Sequence, residues 1–543
     1  MSDSEGGRSS PDRIGSPGAL GRPGRLELLG LLAILLVAAA LRLPGLAERG
    51  QFDSDQGHDM LTLAAFTRDG VVPLLGPKTS VGEFHHGAFY YFLLAPAAAV
   101  SNDDPVVVTG WLALLGIGAV ALTWWLARSI AGALAGLLAG LILALSPAGV
   151  EESTFIWNPN AIPFFATLAL AAAWRARETG RARWWALAIG AAGAVVQLHV
   201  LGLVFFVAVL ALGLLELRRN RAAWRGLVGG LAITALLFLP LAVYELRTGF
   251  LETRRVLDYL GGGEAANGDA LSALVFTLLR VVGWPIVGLV TDVPTLAAAA
   301  LAVLVALVAW RVRTATGRER SALAWLIGIL VWSIVTLAFV APGLQVVVAG
   351  LPNDHYHAFL DPVVAVLFGV TIAALLERGL AAWRARDAAA PGPARGSTAA
   401  PDLFAGAIGM IALVGILAIE ALRFPSPDTA GGWAAARDAG NRIVEALDGP
   451  PVTMVSLPSF KSAEGIEFPI REAARRLAEG SASTARGVVI VCDRLLESQI
   501  GAACGGPAED GFMSDNGAPA DPIDRFDAST RTSISVYLPV ASP

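Results

Sequence analysis

Asp53, Asp55 and Asp59 fall within one short polar segment, FDSDQGHDM (residues 52–60), that follows the first apolar stretch of the chain. Asp55 and Asp59 are spaced i, i+4, so a helix beginning near Ser54 carries both on one face. A carboxylate placed there can take the proton from a hydroxyl or amine as it attacks an electrophilic carbon within about 3 Å. Further along the same loop come Lys78, Glu83, His85 and His86, then Phe89, Tyr90, Tyr91 and Phe92. One loop thus supplies bases, a cation, imidazoles and an aromatic belt of the kind that sits at headgroup level. The plain alternative is a solvated acidic loop, with a helix N-cap at Asp53 or Ser54 and an ordinary aromatic anchor.

The elements that must hold these residues are membrane helices. The 543 residues are 55% hydrophobic and only 16% charged, with a mean hydropathy of +0.61, too apolar for a soluble chain of this size. A hydrocarbon core about 30 Å thick takes roughly 20 apolar residues per helix. The pattern predicts about eleven spans, near residues 26–46, 105–127, 131–147, 161–174, 184–197, 200–217, 224–243, 295–310, 321–341, 359–377 and 403–423. The basic residues set their orientation, since short cytoplasmic loops retain Arg and Lys. Arg22 and Arg25; Arg175, Arg177, Arg181 and Arg183; Arg218, Arg219, Arg221 and Arg225; Arg311, Arg313, Arg318 and Arg320; and Arg378, Arg384 and Arg386 all fall on one side. The amino terminus is then cytoplasmic, and the loop 47–104 and the tail 424–543 lie outside. Segment 88–100, short and broken by Pro96, reads as a helix in the outer interface. Residues 1–25 read as a disordered cytoplasmic arm, 26–423 as the membrane unit, and 388–400 as a flexible cytoplasmic loop within it. The Arg-over-Lys bias with abundant Ala and Gly points to a GC-rich bacterial genome, and so to the cell membrane.

The tail has globular patterning. Apolar β-branched runs at 452–457, 487–491 and 533–538 alternate with helical patterns at 433–447, 466–478 and 494–500, which predicts a small α/β domain. Its sixteen Asp or Glu against ten Arg or Lys exclude a nucleic-acid role. Both cysteines of the chain, Cys492 and Cys504, lie here. Outside the cytosol they form a disulfide worth about 3 kcal/mol in the chain-entropy model, the alternative being two buried thiols. A zinc site is not expected, because His is absent from the tail.

Other loops on the outer side add candidates. Asn158 and Asn160 flank Pro159 and either bind hydroxyls or form turns. His199 and the group Asp354, His355 and His357 sit at helix ends, where such residues either serve a site or snorkel. The cations left on this side are Lys78, one of two lysines in the chain, and Arg254, Arg255 and Arg280.

Together these motifs resemble the GT-C superfamily of polytopic glycosyltransferases, in the branch of protein O-mannosyltransferases and lipid A aminoarabinose transferases. The stretches that carry the resemblance are DQGHD (55–59) and HHGAFYYFLLAP (85–96), then LSP (145–147), WNPNAIPFF (157–165), QLHVLGLVF (197–205) and HYHAFLDP (355–362), covering most of 26–376. Two positions depart from the family's pattern: Gln56 stands where Glu is usual, and Gly87-Ala88 replaces paired prolines. The resemblance implies a phospholipid carrier-dependent glycosyltransferase that moves a sugar from a polyprenyl phosphate to a protein, lipid or glycan acceptor at the outer face. It places the catalytic carboxylate at Asp55, with Asp53 as fallback and Asp59 as helper, and needs no cofactor and no essential metal. A phosphate leaves without a proton, so a single base suffices, unlike the paired carboxylates of hydrolases. Lys78, His85, His86, Asn158, His355 and His357 are then the expected substrate-binding residues. Two other readings remain open. A lipid-linked sugar flippase or other transporter is also multispan, though transporters concentrate charge at the bilayer midplane and often repeat. A noncatalytic scaffold would act through its tail alone.

Overall fold

The structure, a computed structural model, describes residues 22–79, 82–261, 270–345, 354–387, 396–425, 431–451, 453–459, 462–478, 487–516 and 521–538. Most of the expected cytoplasmic arm, residues 1–21, and residues 388–395 of the expected loop lie outside them.

Helices occupy each position where a span was expected: Arg25–Arg42, Pro105–Ala131, Ala133–Leu145, Ile162–Thr179, Ala182–Leu198, Gly202–Glu216, Ala223–Leu237 with Leu239–Thr248, Pro294–Thr314, Gly317–Val340, Asp361–Asp387 and Gly396–Leu422. Among the described residues, six helices are long and apolar enough to cross a membrane, or seven if the Ala223 and Leu239 helices form one span bent by 51°. The bend falls at Phe238, two residues before Pro240, which has no N–H to continue the helical ladder. One of the six, Ala270–Val287, was not expected. Arg280 and Pro285 interrupt its apolar run, and only the fold reveals that the arginine is neutralised inside. Segment 89–101 is helical, as read, with Pro96 inside it. Helices approach closely where glycine permits: a Cβ on Gly226 would lie 2.0 Å from the Ala182 carbonyl oxygen, and one on Gly369 would lie 2.6 Å from the Ala139 Cβ.

The tail folds around a four-stranded sheet in the order β1-β2-β4-β3. β1 (Thr453–Leu457) runs parallel to β2 (Val488–Asp493), while β4 (Thr532–Tyr537) is antiparallel to both β2 and β3 (Asp524–Asp527). Alternation along β2 divides the core in two. Val489 and Val491 face helices Gly432–Leu447 and Glu464–Ala478, whereas Ile490 and Cys492 face Cys504, Ala508 and Met513. Cys492 and Cys504 are joined by a disulfide. β3 and helix Pro507–Asp515 were not foreseen; β3 is four residues long and polar, too short for a period to register.

The sheet unit rests on helix Ser54–Thr67. Phe52 packs against Trp433 at 4.8 Å, and Trp433 against Phe468 at 5.7 Å. Arg68 pairs with Glu472 at 2.6 Å and also with Asp103. The closest approach is backbone to backbone, because a Cβ on Gly57 would lie 2.1 Å from the Glu464 carbonyl oxygen.

Candidate active site

Helix Ser54–Thr67 starts where it does because of a capping box. The Asp53 carboxylate accepts the Asp55 N–H at 3.1 Å, and the Gln56 carbonyl oxygen accepts the Asp53 N–H at 3.0 Å. Gln56 is buried, and its amide nitrogen donates to the Ile156 carbonyl at 2.9 Å. A glutamate could accept but not donate, so the amide is what ties this helix to the second loop. The other departure has a similar cause. Gly87 donates its N–H to the Gln197 carbonyl at 2.9 Å, and a Cβ there would lie 2.1 Å from the Gln197 amide. Proline would lose the donor and collide.

A cavity of about 460 Å³ opens beside this helix. Segments from five distant parts of the chain line it: Asp55, His58 and Asp59; Lys78, His85 and His86; Trp157 and Asn158; His199; and His355 with Tyr356. Five of the six histidines of the chain therefore face one space. Ser462 and Glu464 of the sheet unit complete the wall.

The three aspartates differ in setting. Asp55 is exposed and lines the cavity, whereas Asp53 caps the helix and does not line it. Asp59 is 2% exposed and is held by the Tyr90 hydroxyl at 3.0 Å and the Tyr91 hydroxyl at 2.9 Å. Burial pushes its carboxyl up to about 7, although both tyrosines and His58 oppose the rise. His58 Nδ1 lies 3.0 Å from the Glu464 carboxylate, and this bond raises the imidazole. Burial alone would push Glu464 up, but His58 and Ser462 hold its carboxyl below the usual range.

The cations are unequally available. Lys78 bonds Glu83 at 2.6 Å with both side chains more than half exposed, a solvent-screened pair readily exchanged for another anion. The His85 N–H donates to Glu252 at 2.7 Å, with Nδ1 at 3.2 Å from the same oxygen, and Arg255 holds the other oxygen at 2.7 Å. Arg280 is buried, does not line the cavity, and grips Asp354 with two nitrogens at 2.8 and 2.6 Å. Breaking such a pair leaves a buried charge, so Arg280 is fixed. His357 bonds Asp354 at 3.2 Å behind the wall and does not line the cavity. Asn158 lines it while donating to the Leu198 carbonyl, and Asn160 donates to the Phe155 carbonyl at 2.9 Å. His199, Tyr356, His58 and Glu464 were absent from the expected set. His199 carried only a helix-end signal, and Glu464 reaches the cavity from roughly 400 residues downstream of Asp55. Among the described residues no three His, Cys, Asp or Glu side chains gather closely enough to hold a metal ion.

The architecture, a bundle of apolar helices carrying a small sheet unit over a polar cavity, defines the class: the chain has the GT-C fold. It aligns with ArnT from Cupriavidus metallidurans bound to undecaprenyl phosphate at a TM-score of 0.55 and 13% identity, over 95% of this chain and 98% of that one. With the apo state of the same protein the TM-score is 0.52 at 12% identity, covering 94% and 97%. Residues 74–250 match the family model of dolichyl-phosphate-mannose-protein mannosyltransferases. No curated protein sequence matches it.

Proposed function

We propose that this chain is a membrane glycosyltransferase that moves a sugar from a polyprenyl phosphate to an acceptor at the outer face of the membrane. The observation that carries the reading is the convergence of Asp55 with Lys78, His85 and His86 on one cavity at one end of the helical bundle. The matched mannosyltransferase segment and the shared fold with a protein that binds undecaprenyl phosphate support the donor class.

Asp55 acts as the general base. It faces the cavity, while Asp53 is occupied as a cap and Asp59 is enclosed by hydroxyls. The acceptor hydroxyl or amine gives its proton to Asp55 as its heteroatom bonds to the anomeric carbon. The bond from that carbon to the phosphate oxygen breaks, and the electron pair leaves with the phosphate. Lys78 exchanges Glu83 for that phosphate at little cost, with His85 beside it. Asp59 tunes the charge near Asp55 from behind.

The test is incubation of the purified protein with radiolabelled polyprenyl-phosphate sugars and a membrane extract, alongside proteoliposomes carrying the same labelled lipids. Label moving onto an acceptor is the expected result. Label that crosses the bilayer still attached to its lipid would instead make the protein a flippase.

A further inference from the structure

One part of the cavity wall is built of rings. Trp157 and His355 have centroids 4.4 Å apart, His355 and His199 5.4 Å, and His199 and His86 4.7 Å, and all four line the cavity. His86 Nδ1 accepts the Val200 N–H at 3.4 Å, and His199 Nδ1 accepts the Leu201 N–H at 3.2 Å. A neutral imidazole carries a single N–H, so a ring that accepts at Nδ1 presents its proton at Nε2. Both rings are neutral at ordinary pH, because burial lowers His86 to about 3 and takes His199 well below its usual value. Among the described residues neither Nε2 is hydrogen-bonded to protein, and neither is sealed from the cavity.

We propose that His86 and His199 form the sugar subsite and select an uncharged, hydroxylated ring over an amino sugar. The inference rests on the lipid-linked donor reading. Two fixed, neutral N–H donors suit hydroxyl and ring oxygens, and an aromatic face such as that of Trp157 suits the C–H face of a sugar. An ammonium group set against these two imidazoles meets their N–H donors, because each Nδ1 is already taken. The phosphate is left to Lys78 and His85, so sugar and phosphate are held by separate groups.

The test is equilibrium binding of the full-length protein in nanodiscs to undecaprenyl phosphate, undecaprenyl phosphate glucose and undecaprenyl phosphate glucosamine. The glucose lipid should bind at least about tenfold more tightly than the glucosamine lipid, the value of one well-made hydrogen bond or one unpaired polar group. His199→Phe keeps a ring but removes the donor, and should cost about tenfold toward the glucose lipid while leaving undecaprenyl phosphate unchanged. His199→Gln restores an N–H and should return affinity to within about threefold of the parent. Equal affinity of the parent for the two sugar lipids overturns the subsite, and that comparison needs no variant to fold. A His199→Phe loss shared equally by the bare carrier also overturns it. Failure to bind any of the three lipids removes the donor reading itself, and the subsite with it.

Discussion

The two walls of the cavity are made of opposite materials. The helix Ser54–Thr67 and the docked sheet unit present titratable groups: Asp55, Asp59, and His58 paired with Glu464. The wall of Trp157, His355, His199 and His86 presents rings in tilted and edge-on contact, two of which, His86 and His199, burial holds neutral. On the proposed reading, the charge that moves a proton is kept where partners or solvent can reach it, while the proposed grip on a neutral sugar is uncharged. On that reading, chemistry lies on one wall and recognition on the other.

The strongest way to break that division is Asp55→Asn, which should lower transfer by about 10²- to 10⁴-fold while leaving donor affinity intact. Full transfer by this variant, measured with labelled donor, would move the base elsewhere. Asp59 gives a second handle through pH. Its carboxyl rises from 3.8 in a free chain to about 7 in the fold, with burial the main cause. An acid raised by folding stabilises the protonated protein, so its contribution is present below about pH 4 and is lost as pH rises through about 7. Asp59→Asn removes that loss and should gain about 2–4 kcal/mol relative to the parent at pH 8 compared with pH 4, read from melts at both. A difference that is the same at the two pH values contradicts the burial account. Gly57→Ala tests the seam of the charged wall. Its new Cβ meets the Glu464 carbonyl, so docking of the sheet unit should weaken by about 1–3 kcal/mol, seen as faster limited proteolysis of the tail. Glu464→Gln is the mildest change: the His58 pair is half-exposed, and its loss should cost only about 0.5 kcal/mol in a melt.

Much of this was legible in the chain. Hydropathy placed the helices, and the i, i+4 spacing placed Asp55 and Asp59 on one helix beginning at Ser54, because local periodicity survives in any fold. Alternation likewise located β1, β2 and β4. What was hidden depended on distant partners. Helix Ala270–Val287 escaped because Arg280 looks charged until Asp354 closes on it. Lys78, His85, His86, Asn158 and His355 reach the cavity, whereas His357, next but one to His355, turns away to Asp354. No spacing rule separates two histidines on one short turn. Gln56 and Gly87 read as departures from a family pattern, yet each satisfies a hydrogen bond that only the folded neighbours define. Glu464 had no local signal, since what brings it to the cavity is the docking of the sheet unit.

The division of labour between the walls is tested most directly by steady-state transfer kinetics on Asp55→Asn and His199→Phe side by side. The account predicts that Asp55→Asn loses kcat with KM for the sugar lipid little changed, and that His199→Phe raises KM with kcat largely kept. If both variants alter the same parameter, the walls do not have separate tasks and the account is wrong.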